Sequence, residues 1–371
     1  MIADKPVRVA HVIGKMVGGG VEALVMNYYR HMDRNQVQFD FIIDSDSTVV
    51  PAEEIESLGG RLFEVPPYQH LGAYQKALGD LFAEKDYPIV HSHINTLSVF
   101  PLRVAKKAGV PIRIAHSHAT MGKGETKRNL MKLALRPFAN AYPTSRVACS
   151  RYAGEWLFGK GADFTVVPNA VELDRFRPDA VIRDEVRAAW GVDDGCCVVG
   201  NLGRMESTKN QAFLIETFAR MHAEHPDSLL VIAGCGSLRG RLEEKAHDLG
   251  LADCVIFPGQ VSDVCRLYQG MDVFALPSLY EGFGMAFFEA QVAGVPSVVS
   301  NRVSKEVVLT GGCKVLPLED GVEAWASDIW AQFQNGNRKD VPREVFERFD
   351  IDRASKKLEM FYMNLYEGAS R

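Results

Sequence analysis

Val273-Phe274-Ala275-Leu276-Pro277-Ser278-Leu279-Tyr280-Glu281-Gly282-Phe283-Gly284-Met285-Ala286-Phe287-Phe288-Glu289-Ala290 runs on through Gly294-Val295-Pro296 into Ser297-Val298-Val299. An apolar run of strand length, Val273–Leu276, is followed by a glycine-punctuated loop. A helix is expected over Met285–Ala293, closed by Gly294 and Pro296, and a second strand over Ser297–Val299. Two apolar strands joined by one helix make a strand–helix–strand unit, whose strands lie parallel and are covered on both faces.

The same rhythm extends outward. Before it come strand Val198–Asn201, helix Gln211–Ala223, strand Leu229–Ala233, helix Leu238–Leu249 and strand Val255–Phe257. The first half reads alike, with strands at Arg8–Ile13, Gln38–Ile43, Ile89–His91 and Ile112–Ala115. Its helices are expected at Val21–Met32, Gly72–Glu84 and Leu97–Ala108. Between the halves, Val167-Pro168-Asn169-Ala170 and Asp174-Arg175-Phe176-Arg177-Pro178 form a polar, proline-bounded linker. The expected architecture is α/β, two doubly wound domains, each binding ligands beyond the carboxyl ends of its strands.

The 371 residues suit two domains of that size, and 47% hydrophobic with 24% charged residues is an ordinary globular balance. No apolar run reaches the roughly 20 residues of a bilayer-spanning helix, and Met1–Pro6 opens no signal-peptide core, so a cytoplasmic location is expected. The seven cysteines form no CxxC pair and are expected as free thiols. Net charge is −5, yet Pro101–Arg146 carries ten Lys/Arg against Glu125 alone. That excess anticipates an anionic partner for one half.

Three loops that follow strands carry chemistry. At Phe283, Gly284 and Met285 the amides of a helix start favour an anion. Glu281 and Glu289 beside them would repel phosphate, so they suit the hydroxyls of a ribose or sugar ring. The bland reading makes them a loop acid and a solvated helix residue, but Glu289 sits among Phe287, Phe288 and Ala290. In Gly203-Arg204-Met205-Glu206-Ser207-Thr208-Lys209-Asn210, Arg204 can grip phosphate bidentately and Lys209 adds a point charge. Together they could neutralise a diphosphate without a metal. Glycines 18 to 20, ahead of Glu22, let backbone approach a ligand at Gly19 and Gly20. That turn is neither a dinucleotide fingerprint nor a P-loop.

Taken together, these residues resemble the GT-B glycosyltransferases, specifically family 4, retaining and nucleotide-sugar dependent, of the exopolysaccharide type. The E-x7-E spacing of Glu281 and Glu289 is its most specific element. GRMESTKN, the Gly18–Gly20 turn with Glu22, and PNAVELDRF match as well. GMAFFE stands where many relatives have GLPLLE, a conservative departure that touches sugar choice. The resemblance implies two Rossmann-like domains facing a cleft: 1–175 for the acceptor, 176–350 for the donor, and a C-terminal helix at 351–371 that can pack back on the first. It further implies that Arg204 and Lys209 hold the donor diphosphate, Glu289 the ribose and Glu281 the transferred sugar, with a histidine at a strand end meeting sugar or acceptor. His118 fits that place best, with His116 and then His93 as acceptor-side alternatives. The implied reaction moves a sugar from a nucleotide diphosphate sugar, UDP first, to a carbohydrate or lipid-linked acceptor. No metal or other cofactor and no nucleic acid is expected.

Two alternatives stay open. A nucleotide-sugar epimerase or hydrolase would share the phosphate site. The paired motifs His91-Ser92-His93 and His116-Ser117-His118 put rings on one strand face, as a metal-dependent hydrolase would need. Asp44-Ser45-Asp46 could mimic a metal-binding DxD but reads as a turn after a strand. Finally, Lys127–Arg136 read as a helix aligns Arg128, Lys132 and Arg136 on one face, with Leu130, Leu133 and Ala134 opposite. It is either a peripheral anchor on an anionic membrane or an ordinary sheet-covering helix with a solvated basic face.

Overall fold

The computed structural model describes residues 5–118, 126–261, 263–281, 283–336 and 338–369. It divides into two compact units: Met1–Val171 with Glu347–Arg371, and Glu172–Phe346.

In the first unit, strands β1 (Val7–Gly14), β2 (Val37–Asp44), β3 (Arg61–Val65), β4 (Ile89–Ser92), β5 (Ile112–Ser117), β6 (Ser145–Ala148) and β7 (Thr165–Val166) form one sheet. Its order is β3-β2-β1-β4-β5-β6-β7, every pair parallel. In the second, β8 (Cys197–Leu202), β9 (Ser228–Ala233), β10 (Val255–Gly259), β11 (Val273–Leu276), β12 (Ser297–Ser300) and β13 (Cys313–Leu316) run β10-β9-β8-β11-β12-β13, again parallel. Each sheet reverses its winding once, between β1 and β4 and between β8 and β11. Those reversals are where doubly wound sheets open a crevice for ligands.

Because successive side chains point to opposite faces and both faces of each sheet are covered, the central strands are largely apolar. Along β1, Val7 and Val9 enter a core with Tyr29, Phe39, Leu358 and Tyr362, while Ala10 and Val12 face Leu78, Phe82 and Leu102. In the second unit Val199, Leu230 and Ile232 pack on Leu214, Phe218 and Trp325, and Val198, Leu229 and Val231 on the other face. All seven cysteines are free, and Cys149, Cys197 and Cys265 are buried.

Several expectations are refined. The helix anticipated over Leu97–Ala108 is a 3-10 turn, Asn95–Ser98, leading into an α-helix, Val99–Lys107. Pro101 lacks the amide that would bond to Leu97, so it fits only the first turn of the later start. Edge strands β3 and β13 carry charged, half-exposed residues and escaped the apolar pattern. The chain leaves the first unit at Val171 and re-enters it at Glu347, where Val171 pairs with Asp350. The last helix, Ile351–Ala369, buries Leu358 and Tyr362 in that unit's core. No helix among the described residues is long and apolar enough to cross a membrane.

Candidate functional site

The second unit collects its candidates at the carboxyl ends of β8 and β11. After β8 the chain runs close to the loop that follows β9. Gly234, at φ +128°, lies so near the carbonyl of Gly203 that a Cβ there would come within 2.1 Å of that oxygen. Only glycine allows this approach. Arg204 is exposed at the apex, and its side chain has no hydrogen bond or ion pair among the described residues. The turn Ser207–Lys209 then carries Lys209 back toward β11, and Leu279 donates its amide to Thr208 (2.9 Å).

There Lys209 Nζ meets Glu281 Oε1 at 2.5 Å, and Ser278 Oγ donates to the same oxygen at 2.8 Å. Both side chains are largely buried, at 20% and 10% exposure, so removing either partner costs more than breaking a surface ion pair. Gly282 lies outside the described residues. The helix Met285–Val292 starts from Gly284 in the left-handed region (φ +79°), a residue that offers no side chain to cap it. Its first amides are therefore open to an anion. Phe283 is itself a core side chain, its ring tilted against that of Phe288, so it can serve a ligand only through its backbone.

Glu289 is not a solvated helix residue. Tyr268 Oη lies 2.9 Å from its Oε2, and burial pushes its carboxyl up to about 7. A carboxyl held near neutrality can accept from a diol when ionised and donate when protonated.

In the first unit, Gly19 precedes the helix Gly20–His31, and Glu22 folds back to accept the amide of Val17 at 2.8 Å. This fixes the glycine turn after β1. Asp44 and Asp46 hold a turn after β2: Asp44's carbonyl takes the Ser47 hydroxyl, and Asp46 pairs with Lys15 at 2.6 Å. The histidines form a buried stack. His118, 9% exposed, stands at the end of β5. His93 (4%) and His116 (2%) stand behind it, bonded to other histidines: His93 to His11 and His118, His116 to His91. All three are buried side chains at or just beyond the ends of β4 and β5. Nitrogens of His11, His91 and His93, and of His93, His116 and His118, lie within 4.8 Å of one another. Their shortest approaches, 2.9–3.1 Å, are hydrogen bonds between neighbouring rings, and His116 and His118 stack at 3.8 Å.

The basic segment forms a helix, Thr126–Leu135. The side chains of Lys127 and Arg128 lie outside the described residues. Arg136 sits over the Trp156 ring at 5.4 Å. A sheet-covering helix would bury its apolar side, but Leu130 is 70% exposed and Leu133 45%, with Phe138 exposed beside them.

Tyr268, Ser278, His11 and Tyr362 were not singled out from the sequence. His11 carried a signal, a polar residue inside an apolar strand. Tyr268 lies far from Glu289 in the chain and carried none.

Residues 18–175 match Glycosyltransferase Family 4, and residues 182–329 match Glycosyl transferases group 1. The putative glycosyltransferase EpsF of Bacillus subtilis is 35% identical over 87% of this chain and 86% of its own. An Escherichia coli UDP-Gal:alpha-D-GlcNAc-diphosphoundecaprenol alpha-1,3-galactosyltransferase is 31% identical over 61% of this chain and 60% of its own. Among solved structures, Anabaena Alr3699/HepE in complex with UDP-glucose superposes with a TM-score of 0.80 at 18% identity, covering 96% of this chain and 99% of that one.

Proposed function

The chain belongs to the family 4 glycosyltransferases of GT-B fold, and from that membership we propose that it moves a sugar from a UDP-sugar to a lipid-linked carbohydrate acceptor, with retention of configuration, in cell-surface polysaccharide synthesis. The observation that carries this reading is the convergence of Lys209, Glu281 and an uncapped helix start at the ends of β8 and β11. Support for the donor and acceptor classes comes from relatives whose names specify UDP-Gal and a diphosphoundecaprenol-linked sugar.

Arg204, Lys209 and the amides at Phe283, Gly284 and Met285 take the donor diphosphate. They stabilise the charge that grows on it as the glycosidic bond breaks, so no metal is needed. Glu289 accepts from the ribose hydroxyls and Glu281 from the transferred sugar. The glycine turn at Gly19 and Gly20 brings backbone to the donor, and His118 meets sugar or acceptor. The departing phosphate takes the proton of the acceptor hydroxyl on the same face.

For the acceptor to be lipid-linked, the enzyme must reach a membrane. Exposed Leu130, Leu133 and Phe138 beside Lys132 and Arg136 suit the interface of an anionic leaflet, the apolar side chains entering and the cations staying at the headgroups. The enzyme then works on the cytoplasmic face as a peripheral protein. Incubation with a panel of nucleotide sugars, with and without lipid-linked acceptor, tests the reading. Acceptor-dependent transfer supports it, and consumption of donor without acceptor points to a hydrolase or epimerase.

A further inference from the structure

The histidine stack holds more order than packing requires. His11 Nδ1 lies 2.9 Å from His93 Nε2, and His93 Nδ1 lies 2.9 Å from His118 Nε2. Three rings on three adjacent strands thus form one hydrogen-bonded row. It ends inside at His11 Nε2, which is buried without a partner among the described residues, and at its other end at His118 Nδ1, on the least buried of the three rings. Burial holds His11 and His93 well below an ordinary histidine and His118 at about 3, so each ring is neutral and carries a single ring proton.

A neutral imidazole has one donor and one acceptor nitrogen, so fixing one ring fixes the row. The inner end decides the direction. A buried N–H left without an acceptor is the rarer orphan in folded proteins. The cavity beside His11 measures about 10 Å³, at the floor of what one water needs, and much of its wall is Leu24, Val25, Phe39, Val167 and Leu358. His11 therefore keeps Nε2 bare and donates from Nδ1 to His93. His93 in turn donates from Nδ1 to His118 Nε2, and the one ring proton left to His118 sits on Nδ1.

We propose that His11 and His93 are positioning residues that fix His118 as the Nδ1–H tautomer, making it a hydrogen-bond donor to a sugar or acceptor oxygen and barring it from acting as general base. The inference rests on the transferase reading for its substrate, but the tautomer is a property of the free protein. His116, in a separate row with His91 and Tyr362, takes no part in this setting.

Long-range proton–nitrogen NMR of the full chain labelled with 15N-histidine reads the tautomer without any donor. We expect His118 protonated at Nδ1 in the wild type. A proton on Nε2 would overturn the proposal. His93→Asn places an amide N–H where the ring donor was, so it should keep the tautomer and stay within about threefold of wild-type kcat/KM. His93→Leu should mix the tautomers and lower kcat/KM about tenfold, the loss of one hydrogen bond. His93→Asp, an acceptor, should turn His118 to Nε2–H. Equal losses in the Asn and Leu variants with the His118 tautomer unchanged would also overturn it. If the wild type shows Nδ1–H but transfers no sugar from any donor, the function fails and the tautomer assignment stands. If it transfers sugar with Nε2–H, the reverse holds.

Discussion

Lys209 and Glu281, 72 residues apart in the chain, form an ion pair of 2.5 Å at the ends of neighbouring strands β8 and β11. In the proposed reaction one binds the diphosphate and the other the transferred sugar, so in the ligand-free protein each occupies the other. Glu281→Gln releases Lys209 and removes a negative charge from the anion's neighbourhood. UDP should then bind as tightly as to wild type or several-fold tighter by calorimetry, while transfer falls. A large loss of UDP affinity in this variant would reverse the roles of the two glutamates.

Arg204→Ala and Lys209→Ala should each slow transfer and weaken donor binding by about ten- to a hundredfold, the value of one charge-assisted contact. The Arg204 side chain has no intramolecular partner among the described residues, so its variant should leave the urea midpoint unchanged. Lys209→Ala leaves the largely buried Glu281 carboxylate without its cation, only the Ser278 hydroxyl remaining, and should lower it. Unaltered kinetics in both would remove the diphosphate site from these loops.

Glu289 trades stability for binding. Its carboxyl ionises near 4.5 when unfolded but near 7 when folded. The native state therefore binds the extra proton between those values, and stability present below 4.5 is lost as pH rises through 7. Glu289→Gln carries no charge and should be more stable than wild type at pH 8, by up to about 3 kcal/mol, with the gain fading toward pH 4.5. The same variant should bind UDP more weakly. Urea midpoints at pH 5 and 8 check the first part and calorimetry the second.

Transfer should persist in EDTA, because two cations and a helix start already offset the diphosphate charge. Loss of activity restored by Mn²⁺ or Zn²⁺ would return attention to Asp44 and Asp46 or to the histidine stack.

Sedimentation with anionic vesicles should fall with added salt and with Arg128, Lys132 and Arg136 changed to Glu. It should also fall with Leu130→Ser and Leu133→Ser, whose side chains are exposed. Equal partitioning onto neutral and anionic vesicles would leave only a solvated helix.

The sequence was legible where one residue type has one physical use. Short continuous apolar, β-branched runs bounded by turn residues read as strands covered on both faces, and glycine at 284 marks the loop-to-helix junction. Both glutamates and both cations were visible because they follow strands. Tyr268 was hidden because nothing local links it to Glu289. The solvent-facing side of Leu130 and Leu133 was hidden because amphipathicity shows that a helix has an apolar face, not what covers it. The histidine row depends on cross-strand register, His11 beside His91 on β4, which no spacing within either motif reveals.

The most direct test of the account follows UDP release and product anomer together, from a UDP-sugar, with and without a lipid-linked acceptor, in the wild type and in Arg204→Ala. The account predicts release that depends on acceptor, equals the sugar transferred, keeps the donor's anomeric configuration and drops at least tenfold in the variant. Release at the same rate without acceptor, or inverted product, would contradict it.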